Sequence, residues 1–177
     1  MDGHPDIVTS AYQRAVEQSD EASLAAKFEA GETLPRQLDR AVIAALELRQ
    51  NGRDVTGTVQ AFEPFVASVA GTILEPSADV DVVLRIVRVD GRLLWEDQLS
   101  RHTADPPQRG SFTLEIAFDP LLLGVNLYRF DALITSLGRP IDIASRVFEV
   151  VDVQGQYGGK PLLFYPPHFM CKAIENA

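Results

Sequence analysis

Apolar residues recur along this chain in two rhythms. Between residues 5 and 29, Ile7, Val8, Tyr12, Ala15 and Val16 return at three- and four-residue spacing, which marks one face of a helix. Pro5 suits a first helical turn, and Asp6 suits the positive end of the helix dipole. Ser19 or Asp20 caps a second short helix through Leu24, Ala25 and Phe28, and Gly31 and Pro35 end the helical signal. The lead-in is amphipathic but too thin to enclose a core of its own.

From residue 37 the rhythm shortens to that of strands. Residues 41–48 are an apolar run ending at Arg49-Gln50, and Asn51-Gly52 signals a tight turn. Strand-like pieces follow at 65–67 and 72–74, punctuated by Gly57, Pro64 and Gly71. Residues 80–89 are the most β-branched run and lead through Asp90-Gly91 into residues 92–99, which together predict a hairpin.

After a polar, proline-containing loop at 103–110, Phe112, Leu114, Ile116 and Phe118 alternate with Thr113, Glu115 and Ala117, a half-buried strand. In the next strand Asn126, Tyr128, Phe130, Ala132 and Ile134 share one face, with Tyr128 and Phe130 expected in the core. Leu127, Arg129, Asp131 and Leu133 share the other. Leu137-Gly138-Arg139-Pro140 reads as a turn, 146–153 as a strand and 162–165 as the last strand. Short strands between turn signals, with no helical pattern between them, predict an all-β chain folded as an antiparallel sandwich. The expected organisation is a helical linker over 1–35, a β-sandwich over 36–169 and a tail over 170–177.

Composition narrows the function. Of 177 residues, 16 are basic and 25 acidic, a net charge of −9 that disfavours nucleic acid as a partner. At 46% hydrophobic and 23% charged residues, the chain has the makings of a globular core. The lone cysteine, Cys171, has no internal disulfide partner and fits a reducing compartment. No basic-then-apolar leader opens the chain, and no apolar run approaches the roughly 18 residues that span a bilayer, so a cytoplasmic location is expected.

Most catalytic chemistries find no foothold. His4, His102 and His168 are scattered, and His168 with Cys171 supplies only two ligands, so no metal is expected. There is no nucleophile elbow and no Walker A sequence, and Gly155-Gln156-Tyr157-Gly158-Gly159-Lys160 is followed by Pro161 rather than by a helix. It reads as a crossover between strands. Neither a catalytic residue nor a cofactor is expected.

Carbohydrate binding fits the residues better. Sugar sites set an aromatic ring against a pyranose C–H face and frame it with carboxylate, amide and guanidinium groups. Trp95 beside Glu96, Asp97 and Gln98 offers that combination, and so does the outward pair Arg129 and Asp131. Arg85 shares a face with Val83 and Val87, which suits a ligand, a subunit partner or a salt bridge. Trp95 suits the core of a sandwich slightly better than a sugar face. The candidate carbohydrate-binding residues are Trp95, Arg85, Arg129 and Asp131.

The order of motifs resembles a known family. Gly3, Pro5, Val8 and Tyr12 are similar to the segment that leaves the nucleotide-binding domain of polysaccharide-exporting ABC transporter ATPases. Asn51-Gly52, Asp90-Gly91, Gly124 with Tyr128, Gly138 with Asp142, Phe148 with Val150, Gly155–Gly159 and 166–169 then follow in the order of the carboxy-terminal domain of Wzt-type proteins. Leu121-Leu122-Leu123 replaces the usual proline before the Gly-x-x-x-Tyr strand, and Phe169 replaces a tryptophan.

The resemblance implies an immunoglobulin-like sandwich that binds a lipid-linked O-antigen-type polysaccharide and selects it for export. It also implies a homodimer, with possible exchange of the last strand. Nucleotide-binding and membrane subunits of the transporter are the other implied partners, at the cytoplasmic side of the inner membrane. A dimerisation or docking module without glycan binding is the main alternative. A glycosidase-like enzyme is the other, and it requires two carboxylates roughly 5–10 Å apart in one cleft.

Overall fold

The computed structural model describes residue 28, residues 39–75, 79–103 and 106–153, and the backbone of 168–173. The chain divides into two compact units, Met1–Glu32 and Thr33–Ala177. In the first, Phe28 is helical and buried. The rest of the expected helical linker, the Gly155–Gly159 crossover and the strand expected at 162–165 lie outside the described residues.

The second unit is an immunoglobulin-like β-sandwich. One sheet has the order β10 (His168–Ala173), β7 (Gly110–Phe118), β4 (Phe65–Ile73), β1 (Ala41–Gln50) and β2 (Arg53–Asp54). The other has the order β3 (Thr58–Gln60), β9 (Arg139–Val151), β8 (Asn126–Ser136), β5 (Val80–Arg88) and β6 (Leu93–Gln98). Neighbours run antiparallel except β3 and β9, which are parallel. After the Asn51-Gly52 turn the chain crosses to the second sheet's edge, where Glu149 N donates to Gly57 O at 2.7 Å.

Three features of the strands differ from the sequence expectation. First, β4 is continuous through Gly71. A Cβ there would lie 2.6 Å from the Phe112 ring and 2.8 Å from the Val42 carbonyl, so the glycine answers to close packing rather than to a break. Second, β9 begins at Arg139 rather than 146. Leu137 and Gly138 both have positive φ, 51° and 71°, which closes a two-residue hairpin at once. Pro140 falls where the β8–β9 register shifts, a place where proline is tolerated.

Third, His168–Ala173 is a strand, although 170–177 reads as a tail. It pairs with β7, Phe169 opposite Ile116 and Cys171 opposite Leu114. The chain between β6 and β7 makes a 3-10 turn at Leu99–Arg101 and a proline-containing loop instead of a strand. That leaves the edge of β7 to be paired by the end of the chain.

The core lies between the sheets and is rich in aromatic rings. Phe65 stacks on Phe148 at 5.4 Å between centroids, Tyr128 on Phe148 at 5.8 Å, and Phe118 lies 6.1 Å from Phe65. Tyr128 and Phe130 are both buried, as the alternation in β8 predicts. Each such ring removed from water contributes roughly 1.5–3 kcal/mol before entropy is counted.

Two polar contacts fix the frame. The Tyr128 hydroxyl donates to the Gly124 carbonyl at 2.7 Å, the corner bond of immunoglobulin-like sandwiches at the entry to β8. Asp142, 1% exposed, accepts from the Ile43 backbone N–H at 2.8 Å, beside the bulge in β1. That bond ties one sheet to the other. Gly124 with Tyr128, Gly138 with Asp142, and buried Phe148 with Val150 therefore each serve the fold.

Candidate functional site

The outward face of the β6–β5–β8–β9 sheet carries polar chemistry in one row. Strand register sets Glu96, Arg85, Asp131 and Ser145 side by side across the four strands. Alternation places each of them opposite the core-facing Leu84, Ile86, Phe130 and Ala132. Apolar rows flank this one. Val83, Leu133 and Ile143 lie on one side, all buried, and Val87 and Val147 lie on the other, with Arg129 between them.

Within the row the charges are paired in two ways. Arg129 grips Asp131 with two parallel bonds, Nε to Oδ1 at 2.7 Å and Nη2 to Oδ2 at 3.0 Å. Ser145 adds a third, its hydroxyl donating to Oδ1 at 2.6 Å. Arg129 is 8% exposed and Asp131 3%, so this fork is a buried ion pair whose carboxylate is well satisfied. Arg85 pairs with Glu96 across β5 and β6, Nε to Oε2 at 2.7 Å, but both side chains remain about one-third exposed, at 36% and 32%. That pair presents guanidinium donors beside a carboxylate acceptor at the surface, the combination that meets neighbouring sugar hydroxyls.

Of the four residues singled out in the sequence, three share this face. Arg85, Arg129 and Asp131 come together, with Arg85 at the surface and the other two beneath it. Trp95 does not join them. It lies opposite Ile86, and its ring meets Phe118 edge-on at 5.2 Å and Phe130 at 6.4 Å, on the core side of the sheet. Sequence adjacency puts Trp95 beside Glu96, but successive strand residues point to opposite faces.

Glu96 and Ser145 complete the row; the sequence offered Glu96 only as a neighbour of Trp95, and Ser145 not at all. Glu96 was legible as the cross-hairpin partner of Arg85 once the Asp90-Gly91 turn was placed, whereas Ser145 has no signal of its own. At the end of β6, His102 Nε2 and Asp97 Oδ2 are 2.9 Å apart. Among the described residues no three His, Cys, Asp or Glu side chains gather as a metal site. Among the same residues, no helix is long and apolar enough to cross a membrane.

No family model matches the sequence, and no curated protein sequence does. Among solved structures, the C-terminal domain of Wzt is similar, with a TM-score of 0.53 and 13% identity over 68% of this chain and 84% of that one. The two share a fold. A β-glucuronidase of Parabacteroides merdae gives a TM-score of 0.40 at 12% identity, over 63% of this chain and 14% of that enzyme. The CARDB domain of a Pyrococcus furiosus protein gives 0.39 at 14%, over 68% and 95%.

Proposed function

We propose that the sandwich binds a lipid-linked O-antigen-type polysaccharide without altering it and selects that glycan for export by an ABC transporter. The observation that carries this reading is the agreement of two independent likenesses. Motif order in the sequence resembles the Wzt carboxy-terminal domain, and the fold matches that same domain. The homodimer and the transporter subunits belong to the same reading.

The contact surface is the outward face of β5 and β6. Arg85 donates to sugar hydroxyls and Glu96 accepts from them, while the Arg129–Asp131–Ser145 group beneath holds the strands in fixed register. Trp95 supports this face from the core side instead of stacking on the sugar. A shallow face of this kind binds one sugar weakly and gains affinity from successive residues of a polymer.

The test is calorimetric titration of the protein with polysaccharide from its source organism, repeated with Arg85→Ala. Loss of a charge-assisted contact should weaken binding about tenfold. Folding stability should change by no more than about 1 kcal/mol, because the Arg85–Glu96 pair is about one-third exposed to solvent. Retention of full affinity by the variant would refute the site. Absence of any binding would favour a docking module, and release of shortened chains would favour an enzyme.

A further inference from the structure

A second polar feature lies at one end of the sandwich, away from the sheet face. A cleft of about 240 Å³ is lined by Arg40, Ser136, Leu137, Arg139, Pro140 and Ile141. Its walls come from three places: the residue before β1, the last residue of β8, and the turn and start of β9.

Arg40 is anchored there by its backbone, since its carbonyl accepts from Leu74 N at 2.9 Å and from Glu75 N at 3.1 Å. Its Nε is paired with Glu75 at 2.8 Å, and its Nη2 reaches the Ser136 hydroxyl at 3.5 Å. Arg139 faces Ser136 across the two-residue turn and is exposed. The residues that line the cleft include two guanidinium groups and no carboxylate, and Glu75 pairs with Arg40 beside it, so the lining itself carries positive charge. The chain as a whole has a net charge of −9, so this cleft is a local exception to a surface that repels anions. Leu137, Pro140 and Ile141 give it an apolar wall beside the cations.

We infer that this cleft binds an anionic sugar, with the negative substituent on Arg139 and Arg40 and the C–H face of the ring against Leu137 and Pro140. The shared chemistry is a carboxylate or phosphate carried on a pyranose. A planar guanidinium matches both groups through paired N–H bonds. The apolar wall distinguishes such a ligand from a bare inorganic anion. The inference rests on the proposed glycan binding for its ligand class, and it adds a charge-selective subsite to it.

The experiment follows backbone amide shifts of the whole protein while glucuronate, glucose 1-phosphate, neutral glucose and inorganic phosphate are added separately. Saturable shifts at Leu137, Gly138, Arg139 and Ile141 with either charged sugar support the inference, and whichever acts identifies the carboxylate or the phosphate as the natural group. Arg139→Ala should weaken that binding about tenfold, and Arg139→Lys should fall between the two, because it keeps charge but loses the planar fork. Raising salt from 0.05 to about 0.5 M should weaken it further, as expected for a partly exposed charge contact.

Equal shifts with neutral glucose, equal affinity for inorganic phosphate, or no shift at these amides would overturn it. The outcome is separable from that of the sheet face. If the polysaccharide binds through β5 and β6 and neither charged sugar moves the turn, the subsite falls alone. If a charged sugar moves the turn but the polysaccharide does not bind, the subsite stands and the export reading falls.

Discussion

Replacing Asp131 by alanine removes the acceptor for three donors at once: Arg129 Nε, Arg129 Nη2 and the Ser145 hydroxyl. Ser145 is exposed, so its hydroxyl turns to water at little cost. Arg129 keeps a full charge at 8% exposure, between Val87 and Val147, with its carboxylate gone. Breaking a buried ion pair by deleting one member costs about 3–5 kcal/mol, and the slight solvent contact of Arg129 argues for the lower end. For a chain of this size, about 3 kcal/mol lowers the thermal midpoint by roughly 6–12 °C.

Urea unfolding followed by Trp95 fluorescence measures this, because that ring packs edge-on against Phe118 and reports on the core. The double variant Arg129→Met with Asp131→Leu should return to within about 1.5 kcal/mol of the parent, since apolar replacements avoid the desolvation that the pair must overcome. The flanking row of Val83, Leu133 and Ile143 offers compatible surroundings for them. A cost below about 1 kcal/mol for Asp131→Ala would refute the reasoning. So would a double variant that loses the sum of the two single losses.

Two further outcomes follow from other parts of the sandwich. Gly71→Ala places a methyl 2.6 Å from Phe112 and 2.8 Å from a backbone oxygen, so it should cost about 1–3 kcal/mol in urea unfolding; a neutral result would mean that the β1–β4–β7 packing is looser than described. In the β5–β6 hairpin, the side-chain hydrogen bond from Arg88 holds the Asp90 carboxyl below the ordinary aspartate value of 3.8. Because the folded value is depressed, the hairpin stabilisation is present above the unfolded pKa and is lost as pH falls through the folded one. Carboxyl NMR titration should place the Asp90 midpoint below 3.8 and show it rising in Arg88→Ala, whereas a parent midpoint at or above 3.8 would refute the pairing.

The fold was legible where the signal is local. Asn51-Gly52, Asp90-Gly91 and the alternation in β7 and β8 depend on φ preference and on a two-residue period, both properties of neighbouring residues. The same period put Arg129 and Asp131 on one face, and the structure brings them together. Three features depended on the pairing of strands rather than on residue type. Gly71 looks like a break until Phe112 is seen packing across it, and Pro140 looks like part of a loop until the register shift in β8 is seen to accept it. His168–Ala173 becomes a strand only because β7 has an edge to pair with it.

The candidate site divides along the same line. Sequence alone determined the all-β class, the main hairpins and the shared face of Arg129 and Asp131, because strand geometry links residues two apart, whereas Arg85 joins them only through the pairing of β5 with β8. Which charges are buried and which are presented was decided only by the assembled sheet, since exposure depends on what lies beside a side chain in the neighbouring strands. Tertiary structure likewise turned Trp95 toward Phe118 and brought Arg40 to Arg139 across the two sheets. No local rule encodes those meetings, because each is a contact between segments that only the closed sandwich sets side by side.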